Sequence, residues 1–440
     1  MTADRGKMKL GAFLMAGGQH IAAWRRPESH ATACVDIDHF IELAQMAERA
    51  KFDMIFIEDA AAIRERNPEL ASQAARSTSF EPLSLLAALA LHTSHVGLVA
   101  TASTTYNEPY GLARTFASLD QLSGGRAGWN LVTSASVLEA ANFMSSGLRP
   151  HGQRYERAQE FADAAFAVWD SVEDGAYVVE DGVYVDPRKL HPVDHRGTHF
   201  TVDGVLDSQR SPQGRPLMVQ AGASDVGKDL AARTADVVFT AAQTLEEGQA
   251  FYKDLKARLP KFGRRPDDLK IMPGVSPIVG ATESEAREKY EALQELIPDA
   301  VGVALLTSYV SLKTLPDYPI DGPLPEMPPT DGMKSRQQLI IDQGRRDNLS
   351  IRQLARYFAG ARGHWQVFGT ASHIADELEA RFRGEAADGF NIMPPTFPAG
   401  LDDFTRLVVP ELQRRGLFRE EYEGSTLREN LGLTKPARRA

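Results

Sequence analysis

Residues 96–103 read VGLVATAS, residues 109–122 read PYGLARTFASLDQL, and residues 127–134 read AGWNLVTS. The outer two runs are short and almost continuously apolar, as strands buried on both faces are. The middle run has helical spacing. Strand, helix and strand in this order make a βαβ unit with parallel strands.

The rhythm continues in both directions. Upstream lie a strand at Leu10–Met15 and a helix with Asp36 as N-cap and Ile37, Phe40, Ile41, Ala44 and Ala47 on one face. A strand at Met54–Asp59 and a helix at Pro82–His92 follow. Downstream, a helix at Tyr155–Trp169 precedes a strand at Leu217–Gln220 and a helix after Ser224. Next come a strand at Asp236–Ala241 with a helix at Leu245–Leu259, and a strand at Leu269–Val279 with a helix at Ser284–Leu293. The last pair is a strand at Phe390–Met393 and a helix at Leu401–Arg414. Eight strands, each followed by a helix, close into an α/β (β/α)8 TIM barrel more naturally than into the alternative, an open doubly wound sheet. Residues 1–440 read as a single domain of this kind with two insertions. Residues 171–215 read as an inserted loop or hairpin. Residues 312–349 hold Pro316, Pro319, Pro323, Pro325, Pro328 and Pro329 and read as a long lid-like loop over the barrel mouth.

Composition narrows the class. Hydrophobic residues make up 43% and charged residues 25%, which suits a packed core. A net charge of -10 without a basic patch argues against nucleic acid as partner. The one cysteine, Cys34, excludes an internal disulfide framework and a cysteine metal cluster, and it fits a cytoplasmic protein. Residues Met1–Lys9 have no apolar core for a secretory signal, and no run of about 18 apolar residues predicts a membrane span. The dinucleotide, P-loop and zincin motifs are missing, and the histidines lack metal-ligand spacing, so no metal is expected.

In such a barrel the site lies at the C-terminal ends of the strands. That rule selects Phe13 and His20 at and after strand one, Asp59 after strand two, and Ser103, Thr104 and Thr105 after strand three. It also selects Asn130 and Thr133 in strand four, and Gly222, Ala223 and Ser224 after strand five. At Gln220–Ser224 a buried strand ends in small residues and a hydroxyl just where a helix begins, which makes an anion site. The plainer alternative is that Ser224 only caps the helix. A hydrolase elbow fails because Val226 stands where glycine is required. His151 and Tyr155, one turn apart at a helix start, share a face and suit a phosphate or ribityl chain.

Two blocks carry a resemblance: Tyr106-Asn107-Glu108-Pro109-Tyr110, and Leu122 through Ser134 with its Gly124-Gly125-Arg126 turn. Lys51–Phe56, Arg210–Gly214, Phe368–Leu378, Ala386–Phe390 and Leu427–Leu433 add to it. Over about residues 9–434 the chain resembles the bacterial luciferase-like flavin monooxygenases, in the branch of nitrilotriacetate and dibenzothiophene-sulfone monooxygenases. The resemblance implies a two-component system. A separate flavin reductase supplies reduced FMN as a co-substrate, and this chain uses it with dioxygen to oxygenate a small organic substrate. Asp59, Ser103, Thr104, Asn130, His151, Tyr155 and Ser224 would bind FMN, while His20 and Phe13 would line the substrate side. Sulfone-oxidising relatives carry a histidine where Tyr309 aligns, which argues against sulfones. A homo-oligomer, dimer or tetramer, is expected. The competing functions are a deazaflavin- or flavin-dependent oxidoreductase without oxygenation and a non-enzymatic flavin-binding protein.

Overall fold

A computed structural model describes residues 6–438 except 31, 76–77, 144–146, 181 and 331–333. Eight parallel strands form a closed barrel: β1 (Lys9–Leu14), β2 (Met54–Ile57), β3 (Gly97–Ser103), β4 (Ala127–Val132), β5 (Leu217–Gln220), β6 (Val237–Thr240), β7 (Lys270–Val279) and β8 (Gly389–Ile392). Each pairs with its neighbours in chain order, and β8 returns to β1 with Lys9 beside Gly389. This is the expected (β/α)8 barrel.

Side chains alternate along each strand, as the pleat requires. Phe13, Met54, Phe56, Val99, Leu217, Val219, Val237, Met272 and Met393 point inward and fill the barrel. Leu10, Ala12, Ile55, Leu98, Trp129 and Ile392 point outward and pack beneath the helices. The Asp36 carboxylate caps helix Ile37–Arg49 by accepting from the backbone N–H groups of Asp38 and His39.

The lower mouth, at the N-terminal strand ends, is stopped by chain from beyond β8. Leu427, Leu431 and Leu433 belong to the barrel's inner cluster, and a Cβ on Gly97 would run into Leu427. Arg428 meets Asp236 at 2.8 Å, and the buried Arg419 pairs with the fully buried Asp53. The resemblance at Leu427–Leu433 thus marks a structural plug.

The first insertion holds two antiparallel ribbons, Tyr177–Glu180 with Val183–Val185 and Val193–Arg196 with Thr201–Gly204. The second departs from expectation. Residues 312–349 are not one long loop. The segment contains helix Lys334–Arg346 and joins a helical cap with helices Asp299–Val310 and Ile351–Ala361. Leu315 and Ile340 are buried in that cap's own core beside Leu306, Leu354 and Phe358. Residues 331–333 of the segment lie outside the described residues. A further strand, Trp365–Gly369, pairs with the outer half of β7.

Candidate active site

Two helix N-termini meet above β4 and β5. Helix His151–Asp170 begins with His151 and Tyr155 on one face, their rings 4.8 Å apart. Helix Asp225–Thr234 begins after Ser224, whose Oγ accepts from the Gly227 N–H at 3.2 Å. Ser224 is therefore a cap, as the plainer reading held. It is also more than that. A Cβ built on Gly227 would stand 3.1 Å from the Ser224 hydroxyl, 3.1 Å from the Tyr155 hydroxyl and 3.1 Å from the Gly222 Cα. Two hydroxyls thus converge on a space that a side chain at position 227 would crowd. Donors and aligned helix dipoles at such a corner favour an anion.

Along the mouth, over β3 and β4, Ser103 Oγ accepts from the Thr105 N–H at 3.1 Å and from Ser134 Oγ at 2.9 Å. Thr104 is fully buried, and its hydroxyl donates to the Val132 carbonyl at 3.2 Å, tying β3 to β4. Asn130 Nδ2 donates to Thr101 Oγ1 at 2.9 Å, while its buried Oδ1 has no partner among the described residues. A buried acceptor left open costs roughly 1–3 kcal/mol, so a donor belongs there. Burial pushes the Asp59 carboxyl up to about 6, and the neighbouring Glu81 and Glu139 add to the rise.

Across the mouth, over β1, β2 and β6, the rings of Phe13 and Phe56 are 4.8 Å apart, and Phe239 lies 5.7 Å from each. The Arg362 guanidinium lies 5.1 Å from the Phe13 ring centre. It donates to Glu58 at 2.8 Å and to the Gln19 side-chain oxygen, while Arg64 donates to the same Glu58 oxygen at 2.9 Å. The His364 ring lies tilted, 4.9 Å from that of Phe239, with Arg336 at 3.5 Å from its Nε2. Burial, with the charges of Arg336 and Arg362, pushes the His364 pKa far down, so its ring is neutral. His20 is buried in the loop after β1; its Nδ1 accepts from the Ala22 N–H at 3.2 Å. Tyr309, on the cap, lies within electrostatic reach of Arg64 and Arg336. Beside Glu58 and Arg64 a cavity of about 320 Å³ is lined by Met15, Phe40, Ile57 and Phe80.

The structure therefore gathers the selected residues at one barrel mouth, in two groups. It adds Glu58, Arg64, Gly227, Arg336, Arg362 and His364, which the sequence reading missed. Glu58 carried a signal, since it directly follows the apolar run of β2. The arginines carried none, because they come from the cap and from the loop after β2.

The profile of luciferase-like monooxygenases matches residues 10–381. The chain is 49% identical to nitrilotriacetate monooxygenase component A of Aminobacter aminovorans, covering 98% of this chain and 97% of that protein. It is 46% identical to N-acetyl-S-(2-succino)cysteine monooxygenase of Bacillus subtilis, covering 100% and 99%. Its fold is similar to the solved EDTA monooxygenase of Chelativorans, with a TM-score of 0.83 and 31% identity over 98% of this chain and 99% of that one. Among the described residues, no helix is long and apolar enough to cross a membrane.

Proposed function

The chain belongs to the luciferase-like monooxygenase family and is a flavin-dependent monooxygenase; we propose that it is the oxygenase of a two-component system, taking reduced FMN from a separate flavin reductase and using dioxygen to oxygenate a small organic substrate. The observation that carries this reading is the corner at Gly227, where the Ser224 and Tyr155 hydroxyls converge between two helix N-termini. It suits one terminal phosphate, and no dinucleotide fingerprint accompanies it.

The residues present fit FMN. Ser224, Tyr155 and His151 would hold its phosphate. Asn130 Oδ1, without a partner among the described residues, would accept from the ribityl chain or ring. Asp59 and Ser103 would flank the flavin. When bound, reduced FMN supplies the electrons and activates dioxygen. The protein's part is to hold the flavin, orient the substrate and keep water away. Phe13, Phe56 and Phe239 supply an apolar floor, and the helical cap supplies part of the wall. Reduced flavin must come and go, so we expect micromolar affinity, tighter for reduced than for oxidised FMN. One cysteine and dependence on a NAD(P)H-driven reductase suit the cytoplasm.

Oxygen uptake with reduced FMN, a generic flavin reductase and a substrate panel tests the reading, alongside titration with FMN and FAD. Substrate-dependent oxygen uptake with FMN is expected. No flavin binding, or a strong preference for FAD, would remove it.

A further inference from the structure

We propose that Arg336 and Arg362 form a binding subsite for a carboxylate of the substrate, so that this enzyme oxygenates an organic anion. The assignment rests on FMN occupying the mouth as argued above.

Charge is the first ground. Arg64 and Arg362 both donate to Glu58, and Arg336 lies within electrostatic reach of it; Glu58 is the one carboxylate hydrogen-bonded to the three guanidinium groups among the described residues. Arg64 has further compensation from Glu139 and Asp59 nearby. Arg336 has no such carboxylate in contact among the described residues. Its Nη1 is buried and without a partner among the described residues, as is Arg362 Nε. A guanidinium held out of water without a counter-charge is costly, and a fold retains one where a ligand supplies the missing anion. His364 does not compensate; it stays neutral beside two cations.

The second ground is that the backbone is shaped to present these groups. Arg362 ends helix Ile351–Ala361 in the left-handed conformation, φ 54°. Gly363 follows with φ 78°, and a Cβ there would come within 2.7 Å of Arg336 Nη1. Glycine thus lets the two arginines share one corner. Phe13 underlies Arg362, and Gln19, bonded to the Phe13 carbonyl at 2.8 Å, braces it. Planar guanidinium forks held in this way match the two oxygens of a carboxylate.

Position is the third. In the closed strand order, β1 lies opposite β5. Arg362 lies against Phe13 of β1 and Arg336 meets His364 beside Phe239 of β6, whereas the phosphate corner is built at the helix starts that follow β4 and β5. One corner cannot serve the FMN phosphate bound at the other.

Two anions remain as sources, a substrate carboxylate and the reduced flavin ring itself, and the test separates them. The probes are nitrilotriacetate and N-acetyl-S-(2-succino)cysteine, each against its methyl ester. Binding to the apo-protein is read by thermal shift, and turnover by oxygen uptake and product. Wild type should be stabilised by at least one free acid more strongly than by its ester. Arg336→Gln should weaken binding of that acid, and raise its KM if it is turned over, by about 30-fold. Ester binding and the Kd for reduced FMN should stay within about 2-fold of wild type, the range of a change that touches neither. Arg336→Lys, which keeps the charge but loses the fork, should recover the acid only in part. Three results would each overturn the proposal: no free acid binding to wild type, an equal loss for acid and ester, or a matching loss of reduced-FMN affinity. Failure of flavin binding in wild type would instead strike the functional reading, because the apo-protein thermal shift does not depend on it.

Discussion

Replacing Gly227 by alanine separates the phosphate corner from the rest of the site. The new methyl would stand 3.1 Å from the Ser224 hydroxyl, the Tyr155 hydroxyl and the Gly222 Cα at once. Each neighbour must give by a few tenths of an ångström, at a crowding cost of about 1 kcal/mol. Alanine in place of glycine near the start of helix Asp225–Thr234 returns about 1 kcal/mol of helix propensity, so the Tm should barely move. Binding should not be spared. With the two hydroxyls splayed, one or two charge-assisted bonds to a phosphate are lost at about 1.5–3 kcal/mol each. FMN should therefore bind about 10-fold more weakly if one bond goes at the low end, and up to about 20,000-fold if both go at the high end. Riboflavin, which lacks the phosphate, should bind as it does to wild type. Flavin fluorescence titration of both ligands, with thermal unfolding of the apo-protein, measures all three quantities. FMN affinity within a few-fold of wild type would refute the placement of the phosphate. Equal losses for FMN and riboflavin would show that the whole mouth had deformed.

Ser224→Ala should weaken FMN by about 1–3 kcal/mol and cost the fold only about 1 kcal/mol as a lost cap; unchanged FMN affinity on titration would leave Ser224 as a cap alone. Asp59, held up to about 6, favours the folded state in its neutral form, so that contribution is complete below about pH 4 and lost as the pH rises through 6. After allowance for its partial exposure to solvent, wild type should lose about 1 kcal/mol relative to Asp59→Asn between pH 4 and 7 in urea unfolding. Riboflavin affinity should inflect near pH 6 in wild type and run flat in Asp59→Asn; parallel profiles would remove Asp59 from the flavin's surroundings. Leu427→Ala should destabilise the barrel by about 2–5 kcal/mol in urea unfolding and leave FMN affinity unchanged, since the residue sits at the opposite mouth. A loss below about 0.5 kcal/mol, the range of ordinary surface changes, would mean that the plug carries no load.

The barrel was legible because its strands are buried on both faces and read as apolar runs, and because caps such as Asp36 announce helix starts. The cap was not. Helix Lys334–Arg346 buries Gln337, Ile340, Gln343 and Gly344, with Leu339 only partly covered, so polar side chains interrupt its inner face and it shows no continuous apolar stripe. The prolines just before it pulled the reading toward a loop. Strand Trp365–Gly369 is buried only at alternate positions, unlike the eight barrel strands, so it did not stand out as one of them. Within the site, Ser224 and Tyr155 were each visible as residues at a helix start. Their convergence depends on Gly227, which by itself reads as a poor helix residue. Arg362 and Glu58 are 304 positions apart, and neither residue type nor spacing in one sequence joins such a pair.

The stopper in the lower mouth sets an order of events during synthesis. Residues 426–433 emerge after all eight strands, yet the barrel's innermost layer includes Leu427, Leu431 and Leu433. Until they arrive, Met54, Leu217 and Val237 face an unfilled channel, and Asp236 lacks the Arg428 guanidinium that neutralises it. Contacts that close the ring span hundreds of positions, such as Lys9 beside Gly389, and such topologies fold slowly. A chain cut short before Leu427 would lack the seal and leave apolar channel residues open to water, the kind of surface that invites aggregation.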